Sequence, residues 1–453
     1  MTASKHSEPR KTLYLDSPDA TDHFLSSIAS TPVIAVDTEG ASFHRYVDRI
    51  YLLQLSTATQ HAIIDPLRVA SPLGLGRLLE SRDVEVVFHD ADYDLRLLHQ
   101  DYGWKVTNIF DTRVAAQLLG LKAFGLAALL DSFFGVKLDK KHQRADWSMR
   151  PLSADMLDYA AQDTLHLLEL RQRLRDALEK KGRWHWALEE FARLEGTRWD
   201  TDDAGSAFLR MKGARDLTRR ELALLKELVS WRDGVAKGLD RSSFRVVTNE
   251  VLLDLSRKSP TAMDELRAIK GIGRSILEHK GGEMLDAVAR GRAVPENDLP
   301  RFPKSARWDR DPTFDERVSR LKRVRDAVAA DLDLDPGVLC ARDRMEAVAR
   351  RKPTDVAHMQ EIPEMRRWQS EVLGAEFVKV LRNAPASDAP ASDAPASDAP
   401  ASDASVSDAA VSDASMSDTF VGDARGGNDP GRGERERGGA EAPAASESPY
   451  RDA

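Results

Sequence analysis

The chain has 453 residues, 31% of them charged, and a single cysteine, Cys340. That length predicts about two to four domains, and one cysteine excludes both an internal disulfide framework and a Cys-based zinc site, which fits a reducing cytosol. The net charge of −8 comes from the end of the chain: residues 384–453 carry 14 acidic and 5 basic residues, leaving 61 basic against 60 acidic over 1–383. The opening MTASKHSEPRKTLYLD holds no apolar signal core and no run approaches the roughly 18–20 apolar residues of a membrane span, so a soluble, cytoplasmic protein is expected.

Residues 12–135 alternate short apolar runs with helical patterns. VIAVD (33–37), IYLLQLS (50–56), HAIID (61–65), VEVVF (84–88) and NIFD (108–111) read as strands, the second and third joined as a hairpin. Helical patterns follow in DYDLRLLHQ and TRVAAQLLG, which together predict an α/β layered domain with a mixed sheet. The stretch 153–200 reads as helix. From Gly213 to Asn383 strand signals vanish, and apolar residues recur at three-to-four spacing in two helical modules, about 210–293 and 315–383, with RFPKSARWDRDPTF (301–314) as linker. Beyond Asn383 the pentapeptide APASD repeats and decays. A period of five suits neither helix nor strand and has little to bury, so disorder is expected for 384–453.

The chemistry-bearing residues are acids. Asp37 and Glu39 lie two apart at the end of an apolar strand, where both side chains point the same way and repel. FHDADYDLRLL places Asp90, Asp92 and Asp94 where a strand passes into a helix; Asp90 and Asp94 share a helical face. In LSADMLDYAAQDTLHLLEL, Ser153 is a plausible N-cap and Tyr159 stacks one turn before Asp163. Each has an ordinary explanation: a salt-bridged strand end, acids favoured by a helix N-terminus, a packed aromatic beside a surface acid. Three segments offering hard oxygen ligands, with no His/Cys cluster, Ser-His-Asp arrangement or P-loop to compete, instead suit two Mg²⁺ or Mn²⁺ ions about 3.5–4 Å apart acting on a phosphodiester.

DTE at 37–39, H-x4-DL at 89–95 and Y-x3-D at 159–163 resemble the three exonuclease motifs of the DnaQ-like 3′→5′ exonucleases of the Tyr-containing branch. LDKKHQRADWSMRPLS (138–153) is similar to the stretch before the third motif in bacterial ribonuclease D, so the resemblance spans about 12–205 as one exonuclease domain with a ribonuclease H-like fold. It implies that Asp37, Glu39, Asp94 and Asp163 bind the metals and that Tyr159 orients the attacking water. Lys140, Arg144 and Arg150 are candidates for phosphate contacts. Trp147 is a candidate for base stacking, with core packing the favoured reading because a Trp beside a Pro-containing loop usually anchors it, and Asp111 and Asp146 are expected to serve as caps or ion-pair partners. One departure stands out: many relatives place an aromatic after the first-motif Glu, and here Gly40 stands there.

The stretch from Leu217 to Val288 resembles an HRDC domain, a helical nucleic-acid-binding module, and residues 315–383 a divergent second copy. Residues 210–292 hold 18 basic and 12 acidic residues, a local excess that favours nucleic acid. KGIGR puts Lys270, Gly271, Gly273 and Arg274 before a helix start, where backbone N–H groups can meet a phosphate, with a plain packing turn as the equal alternative. The resemblance as a whole implies a monomeric exoribonuclease that takes RNA with a free 3′ end, such as a tRNA precursor. The alternatives are a DNA exonuclease of the Werner type and a nucleic-acid-binding protein with an inactive site.

Overall fold

The structure, a computed structural model, describes residues 12–139, 141–199, 206–303 and 311–383. The expected repeat tail, Lys140 and half of the expected linker lie outside these.

Six strands form one mixed sheet: β1 (Thr12–Leu15), β2 (Val33–Glu39), β3 (Leu52–Ser56), β4 (His61–Ile64), β5 (Glu85–Phe88) and β6 (Ile109–Asp111), in the order β1-β4-β3-β2-β5-β6. β3 runs antiparallel to β2 and β4, while β2, β5 and β6 are parallel. The five expected strands are all present. β1 was not foreseen: its apolar run is only three residues, Leu13 to Leu15, two of them exposed, and pairing with β4 selects it. β2 also runs two residues beyond the expected VIAVD, because Thr38 and Glu39 continue the ladder opposite Leu53 and Leu52.

Alternation along β2 divides the core. Ile34 and Val36 join the cluster containing Leu95, Leu97 and Leu98 of the helix Asp92–Tyr102. Ala35 faces the other way, into a cluster with Leu170 and Leu174 of the helix Leu167–Lys180. The same period of two sends Asp37 and Glu39 to the Ala35 side and Thr38 to the Leu95 side. The helix Ala154–Leu165 packs across β2, β3 and β4. Asp111 caps the helix Thr112–Leu118, accepting from the Arg113 and Val114 amides at 2.8 and 3.0 Å, the capping role expected of it.

No strand follows Asp111 among the described residues. Two five-helix runs repeat one plan, Arg219–Gly238, Ser243–Val246, Asn249–Lys258, Met263–Arg267 and Arg274–Ala293, then Phe314–Asp331, Pro336–Leu339, Arg342–Arg351, Val356–Gln360 and Arg367–Arg382. In both, the ten-residue third helix ends on a residue at φ +48°, Ser259 and Lys352. The first module keeps its own core around Leu225, Leu228 and Met284. The second shares one continuous core with the exonuclease helices, where Trp186 stacks on Trp368 at 4.7 Å. Glu189 accepts from the Arg367 and Trp368 amides at 2.7 and 3.0 Å, so an acid of the α/β domain caps the last helix and complements its dipole.

Candidate active site

The sheet and the Ala154–Leu165 helix bring three distant acids together. Asp37, Glu39 and Asp163 each offer a carboxylate oxygen, and these atoms all lie within 4.8 Å of one another, every residue half-buried. Asp163 is held there by its neighbour: Thr164 Oγ1 lies 2.7 Å from Ser56 Oγ at the end of β3, and His61 Nδ1 lies 2.8 Å from the same hydroxyl. Asp94 stands outside this trio. It is only 5% exposed, and its Oδ1 accepts from the Thr38 amide at 3.0 Å and the Thr38 hydroxyl at 2.6 Å. Thr38, pointing opposite to its acidic neighbours, therefore ties the first-motif strand to the second-motif helix. Asp90 pairs instead with Arg113, and Asp92 with Arg96 at 2.7 Å.

Crowding and burial show in the acidities. Burial, then Asp163, pushes the Asp37 carboxyl well above its ordinary range. Burial, then Asp37, Asp163 and Asp94, does the same to Glu39. Asp94 is raised by burial and Asp37 despite its bonds from Thr38, and burial with Asp94 lifts Asp163 to about 7. Four acids disfavouring their own charge form an electrostatic debt that a divalent cation would cancel, and all-oxygen donors match Mg²⁺ or Mn²⁺. The Tyr159 phenol, raised by burial and then by Asp163, Glu39 and Asp37, stays protonated across the working pH range.

Several residues at the site carried no motif signal. Gln54 is wholly buried and sits opposite Asp37 in the β2–β3 register. Neither amide atom makes a hydrogen bond of ordinary geometry, yet the amide draws the Glu39 acidity back toward normal. A lone Gln inside LLQLS was the available hint. His142 places its ring edge-on to Tyr159 at 5.9 Å, with a buried Nε2 lacking a hydrogen-bond partner. It lines a cavity of about 210 Å³ with Asp139, Lys141, Tyr159 and Asp163, so of the four acids Asp163 is the one that borders this opening.

Gly40 has a physical reason. A Cβ there would run into the Tyr93 hydroxyl and come within 2.8 Å of Asp48 Oδ1, and Tyr93 donates a short hydrogen bond to Asp48. A side chain at 40 and that hydrogen bond exclude each other, so this chain presents an aromatic from position 93, 38% exposed, and keeps 40 bare. Gly40→Ala is expected to cost about 1 kcal/mol, the net value of one hydrogen bond, read as a lowered melting temperature. In a Tyr93→Ala background the same change should be nearly neutral; an equal cost in both backgrounds would refute the steric account.

The expected substrate contacts fare unevenly. Arg150 is consumed by structure: its Nε and Nη2 bind both oxygens of the buried Asp65 at 2.6 and 2.8 Å, and Nη2 also reaches the Tyr51 carbonyl at 2.8 Å. Trp147 is 1% exposed, packed with Tyr51, Ile63 and Ala160, so it supports Tyr159 from below, ring centres 6.1 Å apart, and offers no face to a base. Arg144 is exposed, its guanidinium 5.3 Å from the Phe43 ring centre. Lys140 lies outside the described residues. Asp146 accepts from the Ser148 amide at 3.1 Å and lies 3.8 Å from Arg45 Nη2, the ion-pair role expected of it. In the first helical module Gly271 sits at φ +92° against Val251, a backbone requirement of the turn, while Gly273 N-caps the Arg274–Ala293 helix in open space. Lys270 is exposed, and Arg274 is exposed beside Glu278 at 2.8 Å.

Comparison with known proteins agrees with this site. Residues 14–179 match the family model of 3′–5′ exonucleases, and residues 221–288 and 314–381 each match the HRDC domain. The ribonuclease D of Granulibacter bethesdensis is 32% identical over 371 residues, 81% of this chain and 92% of that protein. The ribonuclease D of Gluconacetobacter diazotrophicus is 30% identical over 377 residues, 82% and 93% of the two chains. The crystal structure of Escherichia coli RNase D, described as an exoribonuclease involved in structured RNA processing, shares the fold at TM-score 0.64 and 24% identity, covering 83% of this chain and all of that one. The catalytic core of RRP6 from Trypanosoma brucei aligns at TM-score 0.56 and 29% identity over 64% of this chain and 81% of its own. With one exonuclease domain, two HRDC modules and near full-length similarity to these proteins, the chain belongs to the ribonuclease D family.

Proposed function

We propose that this chain is a metal-dependent 3′→5′ exoribonuclease, cytoplasmic and monomeric, which shortens RNA such as tRNA precursors from a free 3′ end and releases nucleoside 5′-monophosphates. The observation that carries the reading is the convergence of the Asp37, Glu39 and Asp163 oxygens within 4.8 Å, with Asp163 and Tyr159 lining an adjoining cavity. Asp37, Glu39, Asp94 and Asp163 would hold two Mg²⁺ or Mn²⁺ ions. Bound there, the ions acidify the attacking water and take up charge on the leaving oxygen.

The chain's own residues do the positioning. The Thr38 clamp keeps Asp94 in register with the first-motif strand, and the Thr164–Ser56 contact keeps Asp163 facing it. Tyr159, protonated and supported by Trp147, donates a hydrogen bond to orient the nucleophile without having to serve as a strong base. The HRDC modules supply further nucleic-acid contacts, with the exposed Lys270 and Arg274 as candidates in the first. Tyr159→Phe is expected to lower kcat by about 10²–10⁴ with RNA affinity unchanged; weaker binding with normal turnover would contradict the assigned role.

The deciding experiment incubates 5′-labelled RNA and DNA of one sequence with Mg²⁺ or Mn²⁺. A ladder shortening from the 3′ end of RNA, stopped by chelator, supports the proposal. A preference for DNA points to the Werner-type alternative, and degradation of neither polymer refutes the enzyme reading.

A further inference from the structure

The first HRDC module meets the catalytic domain at a contact of unusual make-up. Phe43, in the loop after β2, and Phe244, in the short helix Ser243–Val246, meet edge to face at 5.3 Å. The Arg144 guanidinium lies 5.3 Å from the Phe43 ring centre, and His44 Nε2 lies 3.0 Å from the Arg144 carbonyl oxygen. A polar frame secures the junction. The Ser242 hydroxyl donates to the Ser42 carbonyl and, at 3.2 Å, to that of Arg45. Asp240 accepts from Arg45 Nη1 at 3.1 Å and the Tyr46 amide at 3.3 Å, and Arg45 Nε reaches Ser148 Oγ at 2.6 Å.

These polar bonds do the docking, yet the aromatic rings are not sealed beneath them: Phe244 is 44% exposed, Phe43 is half-buried, and Arg144 is exposed. Exposed aromatic faces beside a guanidinium are what unpaired bases and their phosphates need, since every base has a face to stack and every linkage a charge to neutralise. A docked protein chain would call for a contiguous apolar patch, and the rim here is Arg45, His44, Asp240 and Arg144. The ledge is also tied to the chemistry along the chain. Phe43 lies four residues beyond Glu39, and Arg144 lies three before Trp147, which underpins Tyr159.

We propose that Phe43, Phe244 and Arg144 form a stacking ledge, shared between the catalytic domain and the first HRDC module, for the unpaired nucleotides immediately upstream of the 3′-terminal one. The inference rests on the exoribonuclease reading for the direction of the strand. It gives the HRDC module a part in holding the substrate next to the acids, beyond that of a remote tether.

Phe244→Ala, Phe244→Leu and Phe244→Trp in the full-length protein test it. Two substrates are compared: an unpaired 12-nucleotide RNA, and a nucleoside 5′-(p-nitrophenyl) phosphate, whose nitrophenyl group replaces the upstream strand. Equilibrium binding of the labelled 12-mer in chelator is read by fluorescence anisotropy. Phe244→Ala and Phe244→Leu are each expected to raise KM and Kd for the 12-mer roughly tenfold, the scale of one lost stack, with kcat within twofold and the nitrophenyl ester unaffected. Phe244→Trp should restore the wild-type values. Wild-type behaviour of Phe244→Leu would show that the ring serves only as packing, and an equal loss on both substrates would show damage to the catalytic domain; either overturns the ledge. Failure of the wild type to degrade the 12-mer would sink the enzyme reading separately, while the anisotropy arm would still read the ledge.

Discussion

Asp163→Asn is expected to lower RNA shortening by about 10³-fold or more and, in metal-free protein, to raise the melting temperature. The two effects have one cause. Asp37, Glu39 and Asp163 hold carboxylate oxygens within 4.8 Å of one another, and two unit charges at that separation repel by about 3 kcal/mol at an effective dielectric constant of 20. Solvent reaches these half-buried groups, so part of that figure is screened. Asparagine keeps the shape, removes one charge and forfeits an anionic ligand. Differential scanning calorimetry in chelator at pH 8 should show a gain of a few degrees, given about 2–4 °C per kcal/mol for a domain of this size. An unchanged or lower melting temperature would mean that the acids are not in mutual repulsion, and the site would lose its electrostatic rationale.

Divalent metal should stabilise the wild type strongly at pH 8 and weakly at pH 5.5. The sign follows from the raised acidities. In the unfolded chain a carboxyl ionises near pH 4, whereas folded, metal-free Asp163 holds its proton to about 7. Between those values the folded state binds more protons than the unfolded, so this group's contribution to stability declines as pH rises through that window, then levels off. Asp37, Glu39 and Asp94 are displaced in the same direction. Metal binding needs the deprotonated forms, so protons and cations compete. At metal a hundredfold above its dissociation constant the stabilisation is about 2.7 kcal/mol; at pH 5.5 most of it should be gone. Melting curves with and without Mn²⁺ at the two pH values read this directly. Equal shifts at both would place the metal elsewhere.

The legible parts of the fold were those with a local signature. Apolar runs marked five strands, since β2 to β6 are largely buried and most of their side chains are apolar. β1 was invisible because, as a four-residue edge, two of its side chains face solvent and its stability is borrowed from β4. The acids were legible because their positions are set by local periods: two on a strand for Asp37 and Glu39, four on a helix for Tyr159 and Asp163. Long-range pairing was opaque. Arg150 looked like a phosphate ligand, but its partner Asp65 lies 85 residues away, and a charge buried beside an opposite charge takes the pair over any ligand. For Trp147 the core was the favoured reading, and the core is where it lies.

The sequence alone pointed to five of the six strands, to the candidate acids and to the succession of one α/β domain and two helical modules, because burial and side-chain periodicity are written locally. Tertiary structure decided which acids meet. It set Asp94 apart from the other three through the Thr38 clamp and brought Gln54 and His142 to the site. It explained Gly40 through a tyrosine 53 positions later, whose hydrogen bond to Asp48 occupies the space where a side chain would stand. Those are outcomes of close packing between segments remote in the chain, where each contact depends on the shape of both partners, and no local pattern encodes the second partner.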